Sequence, residues 1–247
     1  MLPNFIDQFI KEINGIIHVG AHRGQEVRKY IEYNKKVVLF EPQKEIFADL
    51  IKKVDNLNNI NCYNFALGSK NEISRLNKSK GNDGLSSSIL TPKLHLVTQP
   101  DISFEDSEEV EIKRFDSLEI ETLNFLTLDV QGLELEVLKG FGRELENVNF
   151  IFTEINTKYL YKNNALVSEI DEYLNKYNFV RIYTNIDCFN YFGDAFYVKT
   201  NIKNINFNML NKIKNYFNIT NTYLHFKKIK YPKRLLKNLI KNLRTNF

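Results

Sequence analysis

INGIIHV, residues 13–19, runs directly into GAHRG, residues 20–24, and this junction decides the fold. A short apolar run that ends in a glycine turn has the composition of a strand buried on both faces. Residues 24–33 then read as a helix, and KVVLF, residues 36–40, as a second buried strand. Glu41 and Pro42 close that strand, because Pro42 has no amide to give a ladder yet can open a helix. That helix is expected over residues 43–54, with Ile46, Phe47, Leu50 and Ile51 on one face. INCYNFAL, residues 60–67, alternates as a third strand. Strands separated by helices imply right-handed crossovers and a parallel sheet.

Further along, residues 69–100 are polar and turn-forming, with a dense patch GNDGLSSSIL at 81–90, and read as an insertion over the edge of the sheet. Residues 110–115 predict an edge or antiparallel strand. FLTLD, residues 125–129, predicts a buried strand that passes through Gln131 and Gly132 into a helix over 133–139, ended by Gly140. FIFTEI, residues 150–155, is a further core strand, residues 166–177 an amphipathic helix, residues 179–184 a strand, and GDAFYVK, residues 193–199, the last. The sum is a doubly wound α/β sheet, whose ligands bind at the carboxyl ends of the strands beside the first one. Those ends carry residues 20–24, Glu41, residues 66–69, 129–132 and 154–156.

Composition narrows the class. The chain has 247 residues, 43% of them apolar, with ten glycines, five prolines and two cysteines, which excludes a collagen or a disulfide scaffold. No run approaches the roughly 20 apolar residues of a spanning helix. Asp7 stands where a signal peptide would build its apolar stretch, so a cytoplasmic address is expected. Cys62 and Cys188 have no His or Cys at metal-ligand spacing and read as reduced thiols. The net charge of +4 conceals an asymmetry: 12 of the 34 basic residues and none of the 30 acidic ones follow Asp194, leaving an acidic body of net charge −8. The organisation expected is a body over residues 1–200 and a basic extension over 201–247.

In the GAHRG turn, Gly20 and Gly24 let the backbone turn tightly and bring amides close to a ligand. Glu41 follows Gly20 by about 20 residues, at the end of the next strand, where a carboxylate accepts hydrogen bonds from the two hydroxyls of a ribose. The pair points to an adenosine-containing cofactor. The dinucleotide pattern G-x-G-x-x-G is absent, which argues against NAD and FAD.

The series IIHVGAHRGQE, LFEP, NFALGS, FLTLDVQGLELEVLKG and FTEIN resembles, in this order and at fitting spacings, the FkbM family of S-adenosylmethionine-dependent methyltransferases. The resemblance extends over residues 16–199 and includes the SSSIL, DVQG, TEIN and GDAFYV segments. It implies the Rossmann-like seven-stranded sheet of class I methyltransferases, with the strand at 193–199 antiparallel, and methyl transfer to a hydroxyl oxygen, often of a sugar or polyketide. It further implies that the methionine part of the cofactor lies against Gly20, Ala21 and His22, its ribose on Glu41 beside Pro42, and its adenine near Phe65, Ala66 and Leu67. His18 stands where relatives commonly carry Asp, a place from which the cofactor's ammonium is held.

Methyl transfer from a sulfonium is an in-line displacement, so alignment supplies much of the rate. An alcohol is a poor nucleophile at neutral pH, and the site needs a base within hydrogen-bond reach or a cation that lowers the hydroxyl pKa. Asp129 is the first candidate; it could equally cap the helix that follows or order the loop. Glu154, inside the apolar run FIFTEIN, is costly unless partnered and is the second. His22 and His95 titrate in the right range, although His95 can equally be a loop histidine. Ser86, Ser87, Ser88, His95, Gln131 and Asn156 are candidates for holding a glycan acceptor, and the serines can equally satisfy the backbone of their own loop. Asp129 and Glu154 could also hold Mg²⁺ through waters, though no spacing demands a metal.

Residues 233–244 place Leu235, Leu236, Leu239, Ile240 and Leu243 on one helical face flanked by basic residues. Such a helix can lie at an anionic membrane surface, on a glycosyltransferase partner, or against the acidic body itself. Nucleic acid is disfavoured, because phosphate backbones need basic clefts and the body is acidic. The function expected is O-methylation of a sugar hydroxyl in a surface polysaccharide or glycolipid precursor, at or near the inner face of a membrane. A small-molecule or lipid hydroxyl, or a catalytically silent scaffold or glycan-binding module, are the competing readings.

Overall fold

A computed structural model describes residues 2–187, 189–200 and 202. The strands β1 (Gly15–Val19), β2 (Lys36–Phe40) and β3 (Ile60–Tyr63) are joined by α1 (Val27–Tyr33) and α2 (Lys44–Val54). There follow β4 (Ala66–Leu67), β5 (Glu72–Lys80), the single turn α3 (His95–Thr98) and β6 (Ser103–Lys113). The second half holds β7 (Phe125–Leu128), α4 (Glu134–Phe141), β8 (Phe150–Asn156), α5 (Val167–Asn175), β9 (Phe179–Asp187) and β10 (Phe192–Lys199). Seven strands form one sheet in the order β3-β2-β1-β7-β8-β10-β9, with β10 antiparallel to both its neighbours. This is the class I methyltransferase sheet that the resemblance implied, antiparallel strand included.

Alternation along each strand builds two cores. Ile17, Val19, Val38, Phe40, Leu126 and Leu128 face α4 and α5 through Val137, Leu138, Phe141, Ile170 and Leu174. Ile16, Val37, Leu39, Phe125 and Phe150 face the opposite way, against Val27, Tyr30, Leu50 and an N-terminal 3-10 turn that buries Phe5, Ile6 and Phe9. With β1 sealed on both faces, its ligand-binding potential is confined to its carboxyl end, where the chain leaves for α1 while β7 departs on the other side.

Several elements differ from expectation. The run at 60–67 is two strands: β3 joins the main sheet beside β2, whereas β4 pairs parallel to β6 in a separate three-stranded sheet ordered β4-β6-β5. The polar stretch after residue 69 contains β5, a nine-residue strand of which little but Leu76 and Ser79 is buried, so it carries almost no apolar alternation. Its partner β6 starts at Ser103 rather than 110, because its acidic first half pairs with β5 and meets Lys78 at Asp106 and Lys80 at Glu105. Gly140 lies inside α4 and does not end it. A Cβ there would stand 2.0 Å from the Gly68 carbonyl oxygen, so the glycine is required by close approach, and the helix ends at Gly142, φ +52°. The expected C-terminal helix at 233–244, the extension over 201–247 as a whole, and Cys188 lie outside the described residues. Among the described residues no helix is long and apolar enough to cross a membrane.

Candidate active site at the carboxyl ends of the central strands

The turn after β1 is tied to its neighbours through the backbone. Gly20 and Ala21 donate to the Phe40 carbonyl at 2.9 and 3.0 Å, and Asp129 donates to that of Val19 at 3.1 Å. Gly20 has φ +82°, and a Cβ on it would lie 1.9 Å from the Asp129 carbonyl oxygen, so no other residue fits the crossing of the two strand ends. Gly24, at φ +69°, allows the chain to pass over Leu50 into α1.

Glu41 ends β2 and is 3% exposed. Its two oxygens accept the His22 amide at 2.9 Å and the Gln43 amide at 2.8 Å, which fixes the carboxylate against the glycine turn. Burial pushes its pKa up to about 7, with those amides pulling the other way. The cleft beneath encloses about 630 Å³, part of it open to solvent, and is lined by Gly20, Glu41, Phe65, Leu67, Asp129 and Val130 among others. Pro42 and Ala66 also line it; Ala21 and Gly24 shape the turn without doing so.

The far wall is acidic. Asp129 follows β7 and lines the cleft; Glu154 stands near the end of β8. Gln131 (φ +53°) and Gly132 (φ +102°) carry the chain between them into α4 in left-handed conformations. Asp129 does not cap α4. No side chain caps that helix; the fully buried Glu134 instead orders the loop before it, its Oε1 accepting the amides of Val130 and Gly132 at 3.3 and 3.1 Å. Burial raises Glu134 to about 7 and holds Glu154 well above the carboxylate range, the charges of Asp129 and Glu134 adding to the latter. Asp194, the cross-strand neighbour of Glu154 on β10, is pushed up to about 6 by burial.

The histidines are each engaged by partners within the fold, and of them only His22 lines the cleft. His22, at φ +47°, has Nε2 2.8 Å from the Asp83 carbonyl and Nδ1 2.9 Å from the Gln25 amide nitrogen, which leaves no free ring nitrogen for a general base. His18 turns away from the cleft, its Nδ1 3.0 Å from the Tyr30 hydroxyl, and burial lowers its pKa. A direct contact of its ring with a cofactor ammonium is not what this geometry offers. His95 opens α3 instead of lying in a loop and does not line the cleft: it is 2% exposed and sets Nε2 3.0 Å from Ser86 Oγ between Tyr161 and Phe104.

The loop at 82–90 roofs the cleft with Gly84, Leu85, Ser87, Ser88 and Ile89. Its serines are buried and engaged: Ser86 Oγ accepts from the Asn82 amide, Ser87 Oγ accepts the Ser79 amide, and Ser88 Oγ donates to the Gln131 carbonyl. They hold the roof together, although Ser87 and Ser88 still line the cleft. Arg23 pins the same loop through Asp83 at 3.0 Å. Asn156 is fully buried, does not line the cleft, and has no partner for its side-chain amide among the described residues. Among those residues no group of three or more His, Cys, Asp or Glu is placed to hold a metal ion.

Sequence reading missed Gln43, Glu134, Tyr161 and Asp194. Glu134 left a trace, a carboxylate embedded in the apolar LELEVL segment; Tyr161 left none. The strand order, the glycine turn, and an acidic residue at the end of the second strand facing Asp129 across one cleft define a methyltransferase-type α/β domain. The chain matches the Methyltransferase FkbM domain over residues 18–181, and it belongs to that family. No curated protein matches it. Among solved structures, methyltransferase FkbM from Methylobacillus flagellatus superposes with a TM-score of 0.51 at 12% identity, over 75% of this chain and 43% of that one. This chain therefore spans less than half the length of that protein. TrmK of M. capricolum, in complex with S-adenosyl-homocysteine, is similar at a TM-score of 0.43 and 15% identity over 100% of this chain and 97% of that one. Magnesium protoporphyrin IX methyltransferase from Synechocystis, with bound SAM, gives 0.45 and 9% over 78% and 77%.

Proposed function

We propose that this methyltransferase uses S-adenosylmethionine to methylate a hydroxyl of a sugar in a surface polysaccharide or glycolipid precursor. The observation that carries the reading is one cleft with the glycine turn and Glu41 on one wall and Asp129 on the other, the buried Glu154 carboxyl lying behind it. The residues fit the cofactor. Gly20 lines the cleft at the turn, Glu41 retains lone pairs beyond those given to its two amides, and Phe65, Ala66 and Leu67 offer an apolar seat for a purine.

S-adenosylmethionine, when bound, supplies an electrophilic methyl group on a sulfonium. Asp129, which lines the cleft, accepts the proton of the attacking hydroxyl, while the buried Glu154 carboxyl behind it is held well above the usual carboxylate range by burial and by the Asp129 charge. The roof at 82–90 keeps water from the reacting atoms. The sugar acceptor follows from the family resemblance, and the basic segment at 231–247 would bring the enzyme to an anionic membrane face or to a glycosyltransferase. The reading is tested by titrating the chain with S-adenosylmethionine and S-adenosylhomocysteine, then following labelled methyl into glycan acceptors. Binding with label in an alkali-stable ether supports it; a folded chain that binds neither ligand overturns it in favour of a silent scaffold.

A further inference from the structure

The hydrogen bonds around Gln131 reach further than a substrate contact requires. Its Nε2 donates to Asp129 Oδ1 at 2.8 Å and to Glu154 Oε2 at 2.9 Å. On the other side Oε1 accepts from the Tyr161 hydroxyl at 2.9 Å, a hydroxyl that also lies 2.9 Å from the Ser86 carbonyl of the roof. The backbone carbonyl of Gln131 takes Ser88 Oγ at 2.8 Å. The residue achieves this from a left-handed backbone, φ +53°, which a side chain with a Cβ adopts only where its surroundings fix it.

We propose that Gln131 is the positioning residue of the carboxylate pair: its amide gives one hydrogen to each of Asp129 and Glu154, and its carbonyl fastens the pair through Tyr161 to the roof of the cofactor cleft. An uncharged amide suits this place as no other common side chain does. It has two hydrogens on one nitrogen for two acceptors and an oxygen opposite for the hydroxyl. The other groups that face the pair do not neutralise it: Glu134 from α4 and Asp194 from β10 add negative charge, Tyr161 comes from the loop after β8, and burial lowers the pKa of His18 on β1.

The proposal rests on the proposed function only in what the pair is for; its test does not need methyl transfer. Protein carrying ¹³C in the Asp and Glu side-chain carboxyls is titrated by NMR, with the pair assigned through Asp129→Asn and Glu154→Gln. Gln131→Glu keeps the shape of the side chain and the acceptor for Tyr161 but offers no hydrogen. Gln131→Leu removes both. In each variant the pair is expected to titrate about one unit or more higher than in wild type, the shift that a lost hydrogen-bond donor or an added like charge produces. Tyr161→Phe, which leaves Gln131 in place and removes its anchor, should raise it by less. An unchanged titration in the Glu variant overturns the proposal, and so does a shift confined to Leu, since that pattern belongs to packing alone. With an accepted glycan, the acid limb of the kcat/KM profile should move up by the same amount in Gln131→Glu. A shifted titration in a chain that transfers no methyl leaves the positioning role standing and sinks the functional reading instead.

Discussion

Glu41→Ala has two effects on stability of opposite sign, and their balance depends on pH. The substitution strips the acceptor from two buried amides, His22 N–H at 2.9 Å and Gln43 N–H at 2.8 Å, at about 1–3 kcal/mol each, or about 4 together. Against this, the folded wild type carries a carboxyl raised from 4.5 to about 7. A carboxyl raised by folding contributes stability that is fully present below its unfolded pKa and is lost as pH climbs through the folded value. At about 1.4 kcal/mol per unit, wild type should lose about 3 kcal/mol between pH 4.5 and 8 through Glu41, and alanine loses none of it. The variant should therefore be less stable by about 4 kcal/mol near pH 4.5 and by only about 1 at pH 8. At pH 8 the fold then survives, while a ribose diol loses a charged acceptor worth about 1.5–3 kcal/mol per bond, so affinity for S-adenosylmethionine should fall at least about 100-fold. Urea unfolding of both proteins from pH 4.5 to 8, and calorimetric titration at pH 8, measure the two quantities. A stability difference that does not change with pH refutes the buried-carboxylate account, and unchanged affinity removes the ribose assignment.

Gly20→Ala should cost about 3 kcal/mol, since its Cβ would meet the Asp129 carbonyl oxygen at 1.9 Å from a left-handed backbone, and thermal melting checks it. Asp129→Asn should hold S-adenosylmethionine within about threefold of wild type yet lose at least about 100-fold in turnover; single-turnover transfer at full rate would move the base elsewhere. Removing residues 231–247 should weaken flotation with anionic vesicles and leave the melting temperature of the body unchanged. An equal loss of melting temperature would instead show that the segment packs on the body.

The main sheet was legible because its central strands are buried on both faces and so stand out as short, mostly apolar runs, as residues 15–19 and 125–128 do. The second sheet was not. β5 and the first half of β6 are held by each other's backbone and by Lys–acid pairs at the surface, and polar strands of that kind have the composition of loops. Gly140 was misread for a similar reason: a glycine that ends a helix and one that lets Gly68 approach are the same letter, and only the neighbour distinguishes them.

For the site, the sequence by itself determined the wall of the cleft that holds Gly20 and Glu41, since both owe their places to local backbone needs and to strand length, which are one-dimensional properties. The tertiary structure alone decided which polar residues act together. Gln131 meets Glu154 across 23 positions and Tyr161 across 30, while His22, His18 and His95, equal candidates as letters, are each spoken for by a partner from another element. The physical reason is that a side chain's availability depends on what fills its hydrogen-bonding capacity, and those partners come together only when the chain has folded.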